Sequence, residues 1–334
     1  MRPRRAEAAL TWNGAAVTTD MIGSKGEVTY TDPADGESDT IDITINDRDA
    51  QWAGDWLPQK GDTLTAQILI YDWDAEGDDR SFDCGSFTLD DYNFSGWPRT
   101  GTISGVSVPA DTSFKTTKRT KTWEKATLQA IGQEITARAG ISLVWDVEGG
   151  DVPIETVEQT EQNDCEFYTQ LCGTYGLCLK LYAQKLVVYD REAYKAKEPA
   201  HTIRKEDIQT WNWHTKLEGT YTGGEYTYTD PTTEEEIKAT VGGGDRILKE
   251  SGKADNAADA QRKITALVNK ANHGATTLTV TIQGRPGLVA TQCVTVEGMG
   301  GAIDGKYYID SAASHIGSGY TMELELSKVE GGSL

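Results

Sequence analysis

The sequence predicts a mainly β protein in which two β-rich segments flank a small α+β insert. Three observations point there. Alternating apolar and polar residues, punctuated by turn residues, fill the first and last thirds of the chain. The period changes to that of a helix in "WEKATLQAIGQEITARAG" and "NDCEFYTQLCGTYG" between them. The tetrapeptide YTDP occurs twice, at Tyr30–Pro33 and Tyr228–Pro231, each time behind Gly-Glu and at the end of an alternating run, as expected if two similar strands open two similar units.

From Ala8 to about Val108 the text reads as strands. "ALTWNGAAVT" turns at Asn13-Gly14, a dipeptide suited to a tight hairpin. In "TIDITIND" the residues Ile41, Ile43 and Ile45 fall two apart and share one face, leaving Asp42, Thr44 and Asn46 on the other. "DTLTAQILIYDW" alternates in the same way. Beyond "SVPADTSFKTTKRT" the spacing of Leu128, Ile131 and Ile135 predicts a helix that starts near Trp123 and ends at Gly140 in a left-handed cap. Asn163 or Asp164 caps a second helix with a stripe of Tyr168, Leu171, Cys172 and Tyr175. "LCLKLYAQKLVVYD" follows as a hairpin turning around Ala183 to Lys185. From His201 the β pattern resumes with "TWNWHTKLEGTYTGGEYTYTDP". One helix interrupts it, with Ala257, Ala260, Ile264, Leu267, Val268 and Ala271 on one face and Asn256 with Asp259 resembling a capping box. "TTLTVTIQG", "QCVTVEG", "KYYIDSAASH" and "YTMELELSKV" complete the chain, with turns at Arg285-Pro286-Gly287 and Asp304-Gly305. The expected division is a first β unit at 1–110, an α+β unit at 111–200 and a second β unit with one helix at 201–334.

The chain has 334 residues and a formal net charge of −20, from 52 acidic against 32 basic side chains. Such a surface repels phosphates, so specific nucleic-acid binding is not expected. Five cysteines without a CxxC pair argue against a disulfide framework or a zinc site. The N-terminal "MRPRRAEAAL" lacks the apolar core of a secretory leader, and no run reaches the roughly 18 apolar residues of a spanning helix, so no membrane anchoring is expected.

Several patterns imitate sites. "DWDAEGDDRSFD" sets Asp72, Asp74, Glu76, Asp78 and Asp83, with Gly77, in the frame of a calcium loop. Position 12 lacks its glutamate and the flanks are strands rather than helices, which favours a solvated hairpin loop. Gly300, Gly305 and Lys306 have P-loop spacing, but Tyr307 replaces the hydroxyl ligand and a β run follows instead of a helix. His201, His214, His273 and His315 are scattered, Ser314 and His315 point to opposite faces of a strand, and no nucleophile elbow is present, so no catalytic, metal or cofactor residues are assigned. Lys115, Lys118, Arg119 and Lys121 form a short basic stretch, read as a solvated connector or a contact with an acidic neighbouring subunit. The nine tryptophans lack the interleaved basic residues of a base-stacking platform, and most are read as core or interface anchors.

The succession "YTDPADGESDTIDITINDRDAQWAGDWLPQKGDTL", "FDCGSFTLDDYNFSG", "KTWEKATLQAIGQEITARAG", "NDCEFYTQLCGTYGL", "KLVVYD", "DNAADAQRKITALVNKAN" and "IDGKYYIDSAASHIGSGYTMELEL" resembles the phage late control gene D family. These are central hub proteins of contractile tails, similar also to the hub part of type VI secretion spike proteins. The resemblance covers nearly the whole chain and carries no catalytic residues. It implies two tail-tube-like β-barrels flanking a small middle domain, assembled as a homotrimer that joins a six-fold tail tube to a three-fold central spike. The partners it implies are the spike, the tail tube protein, the tape-measure protein and other baseplate proteins. The location it implies is the baseplate of a virion or tail-like particle, after synthesis in the host bacterial cytoplasm. Leu334 follows closely on the last strand, so cell-wall digestion is expected to belong to another protein. DNA would pass through an acidic lumen without binding. The competing expectation is a secreted β-rich glycan-binding module, with calcium at Asp72 to Asp83.

Overall fold

The computed structural model describes residues 3–23, 26–107, 113–182, 185–230 and 233–330. The chain begins with β1 (Arg5–Trp12) and β2 (Ala15–Val17), joined at Asn13 and Gly14, whose φ angles of 47° and 84° are those a two-residue hairpin requires. A short helix α1 (Thr19–Ile22) leads to β3 (Glu27–Pro33), β4 (Thr40–Asn46), β5 (Thr63–Tyr71), β6 (Arg80–Ser95) and β7 (Thr100–Val106). Ile41, Ile43 and Ile45 are buried together as their spacing predicts.

The middle of the chain holds α2 (Ser113–Thr116), β8 (Lys118–Thr127), α3 (Leu128–Arg138), β9 (Ser142–Asp146), β10 (Pro153–Asn163), α4 (Asp164–Thr174), β11 (Leu177–Tyr182), β12 (Lys185–Asp190) and α5 (Arg191–Ala196). Trp123 and the basic stretch before it lie mostly on a strand, which differs from the sequence reading. β8 pairs antiparallel with β10, and the helix begins at Leu128, where the Thr127 side chain accepts a hydrogen bond from the Ala130 N–H. An N-cap plus a ladder of main-chain bonds outweighs the weak helical preference of "WEKAT". Leu128, Ile131 and Ile135 of α3 pack with Phe167, Tyr168, Leu171 and Cys172 of α4 on the sheet β11-β12-β9. Gly132 lets the helices approach, since a Cβ there would lie 2.2 Å from the Tyr168 hydroxyl, which donates to the Leu128 carbonyl. The hairpin tip predicted at Ala183 lies outside the described residues.

The last third comprises β13 (His201–Arg204), a 3-10 turn at Lys205–Asp207, β14 (Ile208–Thr215), β15 (Gly223–Thr229), β16 (Glu236–Gly242), β17 (Ile247–Ser251), α6 (Ala257–Asn272), β18 (Thr276–Gln283), β19 (Cys293–Glu297), β20 (Gly305–Ile316) and β21 (Tyr320–Lys328). β14 and β18 pair directly, so everything between them is an insertion into one hairpin. That insertion has its own sheet, β16-β15-β17, and its own core, in which Tyr226, Tyr228 and Ala239 pack against Ala260, Ile264 and Val268 of α6. Asn256 caps α6 by accepting from the Asp259 N–H, while Asp259 reaches one residue further back, to the Asp255 N–H.

Among the described residues, thirteen strands form one sheet, in the order β14-β18-β21-β20-β3-β4-β7-β6-β5-β1-β2 with β13 and β19 attached beside β20. The fold is thus mainly β with few helices, as predicted, and its two β-rich halves share a single large core. They are fused through β20. One edge of that strand pairs β21, and the other pairs β19 at its start and β3 from Ser311 to Ile316, with an irregularity at Asp310 where the partner changes. The two YTDP copies do not open equivalent strands. The first lies in β3, in the middle of the large sheet. The second ends β15, in the inserted subdomain, because β14 and β18, not β15, continue the large sheet.

Candidate functional site

The segment 32–39, which begins inside the first YTDP, joins the three regions of the molecule. Asp32 is next to last in β3, close to where β20 changes partners, and the Ala34 N–H donates to the Asp310 carbonyl at 2.8 Å. Asp32 is buried; its Oδ2 accepts from the Ala290 N–H at 2.9 Å and its Oδ1 is ion-paired with Lys180 of β11. Asp39, also buried, accepts from the Tyr30 hydroxyl at 2.9 Å and lies 3.9 Å from the same ammonium. One lysine therefore serves two carboxylates.

Around this triad the middle region is clamped to both halves of the large sheet. Asp35 accepts from the Leu179 N–H at 2.9 Å and from Arg191 Nη2 at 2.7 Å. The Gly36 N–H donates to the Leu179 carbonyl, and Ser38 forms a parallel bridge with Leu181. Tyr189 of β12 donates to the Ala34 carbonyl at 2.8 Å, and its oxygen is 3.0 Å from that of Tyr308 on β20. Burial pushes the Asp39 carboxyl up to about 7, with the adjacent Asp32 adding to the shift and Lys180 opposing it. Burial likewise raises the Tyr30 and Tyr189 hydroxyls far above their ordinary value. Oδ1 of Asp39 is buried without a hydrogen-bond partner. These groups bond to one another and to main chain, which is the chemistry of a joint. Sequence reasoning passed over them; the available signal was Lys180, the charged residue in the otherwise apolar run "LCLKLY".

The imitations of sites resolve into local structure. In the Asp72–Asp83 loop, Asp72 accepts from the Gly77 N–H, Arg80 bridges Asp74 and Asp78, and Asp83 on β6 accepts from the Gly85 N–H. Among the described residues no three His, Cys, Asp or Glu side chains are grouped to hold a metal. Gly305 and Lys306 open strand β20. Ser314 is buried near the Tyr320 hydroxyl, whereas His315 turns the other way to Thr29. Burial pushes the thiols of Cys84 and Cys178 up to about 12, far from nucleophilic thiolates. Arg119 pairs with Asp164 and Lys121 with Glu134, and Lys115 reaches Ser38 of the junction segment. Trp73 donates to the Gly284 carbonyl across the two halves and Trp123 stacks on Phe167 at 5.1 Å, while Trp97 and Trp211 are exposed. Among the described residues no helix is long and apolar enough to cross a membrane.

No family model matches the chain. Over 95% of its length it is 23% identical to a probable baseplate hub protein of Escherichia phage 186, of which it covers 91%. Its fold is that of a tail protein from Neisseria meningitidis MC58, with a TM-score of 0.73 at 13% identity and 98% of each chain covered. It also matches an Escherichia coli type VI secretion component described as structurally similar to the T4 tail proteins gp27 and gp5, with a TM-score of 0.60 at 11% identity over 96% of this chain and 77% of that one. The resemblance read from the residues agrees with these findings, which name a baseplate hub protein, a tail protein and a secretion-system component similar to tail proteins.

Proposed function

We propose that the chain is a hub of a contractile phage tail or tail-like particle, a homotrimer that seats a central spike below and starts the tail tube above. The role is structural and no bond is made or broken. The observation that carries this reading is the likeness to a baseplate hub protein over nearly the full length of both chains. The architecture supports it. Two β-rich halves in one subunit, held rigidly by a shared core and a buried joint, give a trimer six β faces to set against a six-fold tube and a three-fold spike. Divided near residues 110 and 200, each chain supplies a first β unit, a clamp and a second β unit. A net charge of −20 also suits a channel through which DNA slides without adhering.

Co-expression with a spike protein from the same gene cluster tests the reading. Light scattering and electron microscopy are expected to find three copies of this chain on one spike, with tube protein assembling on the opposite face. Six copies, or a monomer that ignores the spike and binds glycans, would overturn it.

A further inference from the structure

A cavity of about 700 Å³ opens where α5, the inserted subdomain and the ends of β14, β20 and β21 meet. Its walls carry five basic side chains, Lys195, Lys216, Arg246, Lys306 and Lys328, against the two acidic ones, Glu192 and Glu330. In a chain with 52 acidic and 32 basic residues this is a local reversal of sign. The acidic pair does not cancel it. Glu192 is taken by Lys195 at 2.8 Å, and Glu330 accepts from the Thr276 hydroxyl at 3.2 Å. Lys306 and Lys328 are held by neutral carbonyls, those of Lys197 and Ala302, each at 2.6 Å, and Arg246 donates to the Thr220 hydroxyl at 2.9 Å. These bonds aim the cations without neutralising them. Two of them, Lys306 and Lys195, together with Lys197 outside the cavity wall, pull down the Cys293 thiol that burial pushes up.

We infer that this cavity receives the carboxylates of an extended acidic polypeptide segment from another chain. Two features favour polypeptide over nucleic acid. Thr215, on the cavity wall, is the last residue of β14, and β14 ends the large sheet, so its outer edge offers unpaired main-chain donors and acceptors to an added strand. Leu217, 70% exposed, and Val329 give aliphatic contact beside the charges. The acidic remainder of the surface repels a polyanion of high charge density but tolerates a few carboxylates placed among the lysines. This inference goes beyond the hub reading and does not depend on it.

The test is fluorescence anisotropy of the full chain with a labelled peptide of alternating glutamate and valine. A lysine–valine peptide, a single-stranded DNA oligonucleotide and inorganic phosphate serve as comparisons. The glutamate peptide is expected to bind and to weaken as salt shortens the screening length, which is about 8 Å at physiological ionic strength. The lysine peptide is expected not to bind, and phosphate is expected to compete only weakly. A Lys216→Glu, Lys328→Glu double variant is expected to lose about tenfold in affinity. Should that variant unfold, Lys216→Gln, at an exposed position, is expected to lose about threefold with its melting temperature unchanged. Failure of the glutamate peptide to bind, equal binding by the folded variants, or tighter binding of the oligonucleotide would overturn the inference.

Discussion

The two copies of YTDP begin alike and end differently. Tyr30 and Tyr228 are each 3% exposed and anchor their strands in a core. The aspartates diverge. Asp32 is buried at the meeting of three regions, paired with Lys180 and bonded to the Ala290 N–H. Asp230 sits at a surface turn, where its carboxylate accepts from the Thr233 N–H at 3.1 Å and its main chain bonds to Glu234 and Glu235. Four identical letters specify a strand followed by a turn in both places. What the aspartate does there depends on residues about 150 positions away in one case and three away in the other.

The contrast can be broken at four points. Lys180→Met leaves two buried carboxylates without their cation and is expected to cost about 3–5 kcal/mol, against no comparable loss for any single change at the second turn. Thermal melting at pH 8 measures it, and the deficit is expected to shrink on acidification as the carboxylates take up protons.

The pH dependence comes next. Because the Asp39 carboxyl is raised from 3.8 to about 7 in the folded state, the folded chain holds a proton that the unfolded chain lacks between those values. That contribution to stability is complete below pH 4 and is lost as pH rises toward 7, at up to about 1.4 kcal/mol per pH unit. Asp39→Asn is expected to remove this slope. The difference between wild-type and variant unfolding free energies across pH 4–8 reports it; parallel curves would show that Asp39 does not carry the proton.

Tyr189→Phe removes the hydroxyl shared by the Ala34 carbonyl and Tyr308 and is expected to cost about 1–3 kcal/mol in urea unfolding. The smallest effect belongs to the second copy: Asp230→Ala, which loses the turn contact to the Thr233 N–H, is expected to cost under about 1 kcal/mol. Equal losses at Asp32 and Asp230 would erase the comparison.

Much of this molecule was legible in residue patterns. Ile41, Ile43 and Ile45 announced a strand, and Leu128, Ile131 and Ile135 a helical face. The caps at Asn163 and Asn256 and the left-handed Gly140 are where spacing put them. Such features depend on neighbours within a turn or a strand, so a window of sequence contains their cause. Trp123 was misplaced because its strand exists only in partnership with β10, some thirty residues on.

What the sequence by itself determined is therefore the inventory: a mainly β chain, three helices of substance and an excess of acidic side chains. Tertiary structure alone decided that the second YTDP belongs to an insertion between β14 and β18, that β20 carries both halves on one edge, and that Asp32, Asp39 and Lys180 meet. The reason is physical. Strand pairing and buried ion pairing are set by which distant segments reach one another while excluding water, and in a single chain that information is spread over the whole sequence.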